Sequence, residues 1–147
     1  MHYNDISYSL DHGIGRITLN KPEKMNALSW GSWAELENAI AAADADDSVK
    51  VVLLTGAGRG FCAGTDLTTG TKESDWPARP LGGRPGMMRS RYLGTANLYH
   101  CRKPTIAAVN GASVGAGFSL AMACDIRIAS EAARFSAIFV KRAIVAD

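Results

Sequence analysis

The spacing of apolar residues along the chain predicts alternating strands and helices. Short β-branched or apolar runs at residues 8–10, 15–19, 49–55, 104–109 and 126–129 predict strands, the first two forming a hairpin around Asp11-His12-Gly13. A three- and four-residue spacing over Trp33, Leu36, Ile40 and Ala43 predicts a helix capped by Ser29. Further helices are predicted over 88–101 and 116–124. Strands alternating with helices indicate an α/β fold with mainly parallel pairing.

Two glycine-bearing segments each follow a predicted buried strand. They are Phe61-Cys62-Ala63-Gly64-Thr65-Asp66-Leu67 and Asn110-Gly111-Ala112-Ser113-Val114-Gly115-Ala116-Gly117. Small residues let a backbone approach a ligand closely, and N–H groups left free at such turns can point at one negative oxygen. An oxyanion hole is therefore the leading hypothesis, since each such donor contributes roughly 3 to 4 kcal/mol to a transition state.

Composition narrows the class of protein. With 147 residues, 47% of them apolar and 20% charged, the chain is long enough for one soluble globular domain. A net charge of +2 with scattered Lys and Arg argues against nucleic acid as a partner. No apolar stretch is long enough to span a membrane, and the polar start is not a signal peptide, so we expect a cytoplasmic protein. Cys62, Cys101 and Cys124 are predicted to be reduced thiols, and no metal site is predicted.

Nucleotide binding is an alternative interpretation of the glycine turns. Gly111, Gly115 and Gly117 match the G-x-x-x-G-x-G turn of short-chain dehydrogenases, and Tyr99-x-x-x-Lys103 matches their catalytic pair. In those enzymes, however, the glycine turn comes first and the Tyr-Lys pair lies far downstream, the reverse of the order here. An NAD(P)-binding dehydrogenase fragment is therefore the less favoured hypothesis.

Five blocks together resemble one family. They are residues 16–28 (RITLNKPEKMNAL), 51–56 (VVLLTG), 61–67 (FCAGTDL), 103–111 (KPTIAAVNG) and 124–129 (CDIRIA). In this order they resemble the enoyl-CoA hydratase/isomerase (crotonase) family. The resemblance implies a crotonase-like spiral of ββα units, an acyl-CoA thioester as substrate in fatty acid metabolism, and no cofactor apart from the coenzyme A of that substrate.

The resemblance also implies roles for individual residues. The amides of Thr65 and Ala116 would hold the thioester oxygen; the family commonly has glycine at the second position, and Ala116 keeps the amide. Lys24 would contact a phosphate of coenzyme A. The full set of implied substrate-binding residues is Lys24, Ala27, Ala63, Gly64, Asp66, Gly115, Ser119 and Phe139.

The acid/base residues depart from the family pattern. Hydratases of this family use two glutamates, and Ser119 and Phe139 hold their places here. Because neither a hydroxyl nor a phenyl ring replaces a carboxylate base, ordinary hydration is not expected. Asp147 is similar in position to the base of dienoyl-CoA isomerases and the nucleophile of chlorobenzoyl-CoA dehalogenase, although a solvated terminal residue is an equal interpretation.

Two aspartates and one histidine have simpler interpretations. Asp66 and Asp125 are typical of turn and helix-end residues that bond nearby backbone. His100 stands at a predicted helix end before Arg102 and Lys103, where a solvated cap is expected.

Relative to the family, the sequence corresponds to the N-terminal part of the core. We expect residues 1–147 to form a single incomplete core domain, with 68–87 as a flexible loop near the site and the C-terminal helical region absent. A full-length protein would form a trimer or hexamer. The alternative function is a non-catalytic remnant that binds CoA thioesters or associates with intact homologues.

Overall fold

The computed structural model describes residues 2–68 and 94–142. The strands are β1 (Ile6–Asp11), β2 (Ile14–Leu19), β3 (Val51–Gly56), β4 (Gly60–Cys62), β5 (Thr105–Val109), β6 (Ala112–Val114), β7 (Ile126–Ala129) and β8 (Arg134–Ser136). The helices are α1 (Trp30–Ala45), α2 (94–99) and α3 (Ala116–Ala123), with 3-10 helices at Pro22–Lys24 and Ile138–Arg142.

The strands form two sheets. One has five strands in the order β1-β2-β3-β5-β7, and the other has three in the order β4-β6-β8. Every pairing is parallel except that of the β1–β2 hairpin. The α/β class with mainly parallel strands, predicted from the sequence, is confirmed.

A repeated unit builds both sheets at once. In the pairs β3–β4, β5–β6 and β7–β8, the first strand joins the larger sheet and the second joins the smaller one. Helices α2 and α3 follow the first two pairs. This is the spiral of ββα units that the resemblance implies. The three strands of the smaller sheet were not predicted from hydrophobic spacing, because three-residue strands are too short to show a period.

Helix α1 is capped as predicted. The Ser29 hydroxyl accepts a hydrogen bond from the Ser32 amide at 3.2 Å, and the Ser32 hydroxyl accepts one from the Ser29 amide at 3.1 Å. The predicted apolar face of α1 is buried in the core together with one face of the larger sheet. On that sheet face Ile17, Leu54 and Ala107 lie side by side in β2, β3 and β5, each 0% exposed.

Helix α2 packs directly on α1. A Cβ atom added to Gly94 would lie 2.6 Å from Cε3 of Trp33, so only glycine fits at this contact. Residues 94–99 confirm part of the helix predicted over 88–101, and 88–93 lie outside the described residues. The predicted loop 68–87 also lies outside them, apart from Thr68.

The cysteines are free thiols, and Cys62 and Cys124 are buried. Burial raises the pKa of each of these two thiols to about 12. They therefore behave as small apolar residues of the core.

Candidate active site

A short parallel bridge positions the first glycine segment. The Leu28 amide donates to the Gly64 carbonyl oxygen at 2.8 Å, and the Asp66 amide donates to the Leu28 carbonyl oxygen at 2.9 Å. In this pattern the intervening residue, Thr65, directs its own N–H to the opposite side of the chain. Within the described part of the chain, the Thr65 amide has no backbone hydrogen-bond partner.

The second glycine segment turns into α3. Gly115 has a positive φ of 55°, and its amide donates to the Ser136 carbonyl oxygen at 2.9 Å. The Ser119 amide bonds back to the Gly115 carbonyl oxygen at 3.0 Å. Ala116 is the first helical residue, so its N–H is among those that a helix cannot satisfy internally, and it lies at the positive end of the helix dipole.

The two segments are in contact. A Cβ atom added to Gly64 would lie 3.5 Å from the Ala116 nitrogen and 2.9 Å from the Val114 carbonyl oxygen. Gly64 itself has a φ of +100°, which disfavours any side chain. The unused amides of Thr65 and Ala116 therefore belong to two backbone segments that lie against each other.

A second glycine contact holds this arrangement. A Cβ atom added to Gly117 would overlap the Cys62 carbonyl oxygen and lie 2.7 Å from the Cys62 Cβ. The first turn of α3 thus packs directly on β4. Glycine at position 117 leaves room for this close approach of the two backbone segments.

Five of the residues that the resemblance assigns to coenzyme A, in the first glycine segment and in the loop that contacts it, also lie together. The Ala63 amide donates to the Met25 carbonyl oxygen at 2.9 Å, and the Ala27 amide donates to the Lys24 carbonyl oxygen at 3.1 Å. Lys24 Nζ donates to Asp66 Oδ2 at 3.1 Å. The structure therefore brings Lys24, Ala27, Ala63, Gly64 and Asp66 into one neighbourhood.

Asp66 is a turn residue, as predicted. Its Oδ1 accepts hydrogen bonds from the Thr68 hydroxyl at 2.6 Å and the Thr68 amide at 2.9 Å. The Thr68 hydroxyl is the main cause of a carboxyl pKa lowered to about 2; burial opposes the shift, and the Thr68 amide and Lys24 add to it. Asp66 is therefore ionised at neutral pH.

Asp125 was predicted to bond nearby backbone, and this prediction needs correction. Its Oδ2 accepts hydrogen bonds from the amide and hydroxyl of Thr105, both at 2.8 Å and 20 residues away in sequence. These bonds lower the pKa of the Asp125 carboxyl. Asp125 ties the end of α3 to the start of β5.

A cavity of about 440 Å³ lies between α2, α3 and the last described residues. Ser119 and Phe139, the residues that the family resemblance places at the two glutamate positions, both line it and are 7% and 8% exposed. The other lining residues are Thr95, Ala96, Tyr99, His100, Phe118, Met122, Ala123 and Ala137. The structure brings together two positions that lie 20 residues apart in the chain, in a largely apolar setting.

Sequence reasoning placed His100 correctly at a helix end but missed its place at this cavity. The signal was available: His100 lies four positions after Ala96, another lining residue, and residues at that spacing share one side of a helix. Asp147 lies outside the described residues.

Residues 2–68 and 94–142 contain no group of three or more His, Cys, Asp or Glu side chains placed to hold a metal ion. Nor do they include a helix of the length and apolarity needed to cross a membrane.

The chain is similar in sequence to proteins of one known family. The family model described as Enoyl-CoA hydratase/isomerase matches residues 9–147. A probable enoyl-CoA hydratase, EchA14 of Mycobacterium tuberculosis, is 44% identical over 140 residues, which cover 95% of this chain and 52% of the relative. The 1,2-epoxyphenylacetyl-CoA isomerase of Escherichia coli is 38% identical over 140 residues, which cover 94% and 52%.

The chain also superposes on solved structures of proteins from the same family. An enoyl-CoA hydratase from Mycobacterium avium subsp. paratuberculosis superposes with a TM-score of 0.85 at 27% identity, covering 100% of this chain and 55% of that one. An enoyl-CoA hydratase/isomerase from Xanthobacter autotrophicus gives a TM-score of 0.78 at 40% identity, covering 91% and 49%. The chain spans about half the length of the relatives it matches.

Proposed function

The chain belongs to the enoyl-CoA hydratase/isomerase family, and from that premise we propose that it transforms an acyl-CoA thioester by stabilising an enolate. The thioester oxygen would accept hydrogen bonds from the amides of Thr65 and Ala116. Removal of a proton from the α-carbon places negative charge on this oxygen, where donors held in position lower the energy of the transition state.

One observation carries the proposal. The segments that contain Thr65 and Ala116 touch at Gly64, and neither amide has a backbone partner in the described chain. Unpaired amides are uncommon in folded proteins, so two of them on adjoining turns favour a ligand oxygen as their partner. The helix dipole at Ala116 favours negative charge at the same point.

The cavity favours movement of a proton over addition of water. Ser119 and Phe139 supply no carboxylate, and none of the described lining residues is acidic. We therefore propose an isomerisation in which a double bond shifts along the acyl chain. Asp147 is the proposed base for the α-proton, on the strength of the family resemblance.

Lys24 is the proposed contact for a phosphate of coenzyme A. Its side chain is 46% exposed, so the ammonium group has donors left beside the one given to Asp66. The short loop of Lys24 and Ala27 and the segment of Ala63 and Gly64 would then lie along the nucleotide.

The test is to incubate the purified chain with crotonyl-CoA and with a 3-enoyl-CoA and to follow the thioester absorbance. Conversion of the 3-enoyl-CoA that is lost in Asp147→Asn supports the proposal. Hydration of crotonyl-CoA in preference to isomerisation would contradict the proposed reaction.

A second candidate is a remnant that binds CoA thioesters without turning them over. The described cavity lining, which includes Ser119 and Phe139 and no acidic side chain, favours this alternative. Saturable binding of a CoA thioester together with no turnover of either substrate would support the remnant and exclude the isomerase.

A further inference from the structure

We propose that the cavity binds an acyl group with a neutral oxygen substituent beyond its reacting carbons, and that the Ser119 hydroxyl is the hydrogen-bond partner of this oxygen. The inference rests on the function proposed above, since the amides of Thr65 and Ala116 would fix the thioester end of the substrate. It adds the chemical class of the acyl group, which membership of the family leaves open.

Ser119 carries a buried hydroxyl that is not paired within the described chain. It is the single polar side chain of α3, whose sequence is AGFSLAMA, and it is 7% exposed. No described residue forms a hydrogen bond with its hydroxyl. Two other buried hydroxyls differ, since Ser113 Oγ donates to the Gly117 carbonyl oxygen at 3.0 Å and Thr105 Oγ1 donates to Asp125 Oδ2 at 2.8 Å. Because Ser119 lines the cavity, a ligand in the cavity is the source of a partner for its hydroxyl.

A second unpaired hydroxyl lines the cavity from a different helix. Thr95 belongs to α2, and its Oγ1 is buried without a hydrogen-bond partner in the described chain. Tyr99 and Met122 are 74% and 42% exposed, so they lie on the open side of the cavity. The hydroxyls of Ser119 and Thr95 therefore belong to its buried side. A few such polar groups in a largely apolar pocket are what gives a binding site its specificity.

An unsubstituted acyl chain is a poor occupant of this cavity. A chain of methylene groups would exclude water from Ser119 and leave the hydroxyl unpaired, which weakens binding. A site with a buried polar group rejects the ligand that lacks the matching group for this reason. A hydroxyl both donates and accepts, so an oxo group and a hydroxyl group on the acyl chain each suit Ser119.

The lining also disfavours a charged substituent. None of the described lining residues is Lys or Arg. His100 and Tyr99 are titratable, but both are exposed and lie away from the buried side. An ionised carboxylate at Ser119 would lose its hydration without gaining a cation, whereas a neutral oxygen needs one hydrogen bond.

The place of Ser119 on α3 sets where the oxygen lies along the acyl chain. Ala116, the proposed donor to the thioester oxygen, lies three residues earlier on the same helix. Residues at this spacing share one face, with about 5–6 Å between their Cβ atoms. An extended acyl chain covers that distance in roughly four carbon–carbon bonds, which places the oxygen at about carbon 5 or 6. These carbons lie beyond the double bond that moves.

The test measures binding of saturated acyl-CoAs, which have no double bond to move. Isothermal titration of the purified chain compares hexanoyl-CoA with two neutral probes, 5-oxohexanoyl-CoA and 6-hydroxyhexanoyl-CoA, and with adipoyl-CoA as the charged probe. At least one neutral probe is expected to bind about tenfold or more tighter than hexanoyl-CoA. Adipoyl-CoA is expected to bind no tighter than hexanoyl-CoA.

Ser119→Ala is expected to abolish the preference, so that the dissociation constants of hexanoyl-CoA and the preferred neutral probe become about equal. Alanine removes only the hydroxyl and is a good helix former, so the variant keeps the fold. Its free energy of unfolding without ligand is expected to equal or exceed that of the natural chain, whereas loss of a structural hydrogen bond would lower it. Ser9→Ala, at an exposed serine of β1, is the matched control and is expected to keep the natural preference.

The outcomes separate this inference from the proposed function. The inference is overturned by equal binding of hexanoyl-CoA and both neutral probes, by tighter binding of adipoyl-CoA, or by a preference that survives in Ser119→Ala. Isomerisation of a 3-enoyl-CoA by the natural chain then leaves the proposed function standing. A preference that depends on Ser119 without any isomerisation supports the acyl class and overturns the proposed reaction. Absence of binding of every acyl-CoA overturns both.

Discussion

Lys24 and Asp66 form an ion pair that joins two segments 42 residues apart in the chain, with 3.1 Å between Nζ and Oδ2. The side chain of Asp66 is 5% exposed and that of Lys24 is 46% exposed. The carboxylate is thus a buried anchor, and the ammonium group stays partly exposed, where we propose that it contacts a phosphate of coenzyme A. Both segments belong to the region assigned to coenzyme A.

Lys24→Met is expected to weaken binding of a CoA thioester by about tenfold, the loss of roughly one charge-assisted hydrogen bond. Isothermal titration would measure it. Lys50→Met is the matched control, because Lys50 is exposed and bonds the Asp47 carbonyl oxygen. Equal affinity in Lys24→Met and the natural chain would remove Lys24 from the binding site.

Asp66 predicts a dependence of stability on pH. Its pKa is lowered from 3.8 to about 2 in the folded chain, so the carboxylate stabilises the fold above pH 3.8 and loses this contribution as pH falls through about 2. Asp66→Asn is expected to be less stable at neutral pH by about 1–3 kcal/mol and to lose less stability on acidification. Urea unfolding at several pH values measures both. If the free energies of unfolding of the two proteins changed equally with pH, the Asp66 carboxylate would not contribute to the pH dependence of stability.

Gly117→Ala is expected to destabilise the chain by about 1–3 kcal/mol, because the added methyl group would overlap the Cys62 carbonyl. It is also expected to lower turnover by moving the Ala116 amide. Gly31→Ala is the control: it lies in α1, where the nearest atom to an added Cβ is 3.7 Å away. There alanine is expected to be neutral or stabilising by about 0.4–1 kcal/mol. Thermal unfolding measures the stability of both variants. A Gly117→Ala protein as stable as Gly31→Ala would argue against the tight contact between Gly117 and Cys62.

The double variant Ser119→Glu with Phe139→Glu is expected to gain hydration of crotonyl-CoA. It places two carboxylates at the positions that line the cavity, and such acid/base groups contribute about 100-fold or more each. Loss of absorbance at the enoyl thioester band measures the gain, with each single substitution as a control. No hydration by the double variant, if it remains folded and binds substrate, would place the acyl chain elsewhere.

Local chemistry made much of the fold predictable. The turn at His12 and Gly13 and the cap at Ser29 depend on residues within a few positions of one another, and both are present in the structure. The smaller sheet was missed, because Gly60–Cys62 and Ala112–Val114 are stabilised by pairing with each other and not by their own periodicity. Glycine within or beside these two segments made them resemble turns in the sequence.

The candidate site was predictable in its parts. The two glycine segments indicated free backbone amides, and the assignment of those amides to Thr65 and Ala116, like the roles of Ser119 and Phe139, followed from the family resemblance. The place of His100 at the cavity was not predicted, since it depends on how α2 packs against α1 and α3.

By itself the sequence determined the class of fold, the residues that cap and turn the chain, and the absence of glutamate at positions 119 and 139, because these follow from side-chain chemistry and short-range sterics. Only the tertiary structure decided that Gly64 lies against Ala116, that Ser119 and Phe139 share a cavity, and that His100 opens onto it. Those contacts join residues far apart in the chain, and their geometry is set by strand pairing and helix packing, which no local pattern encodes.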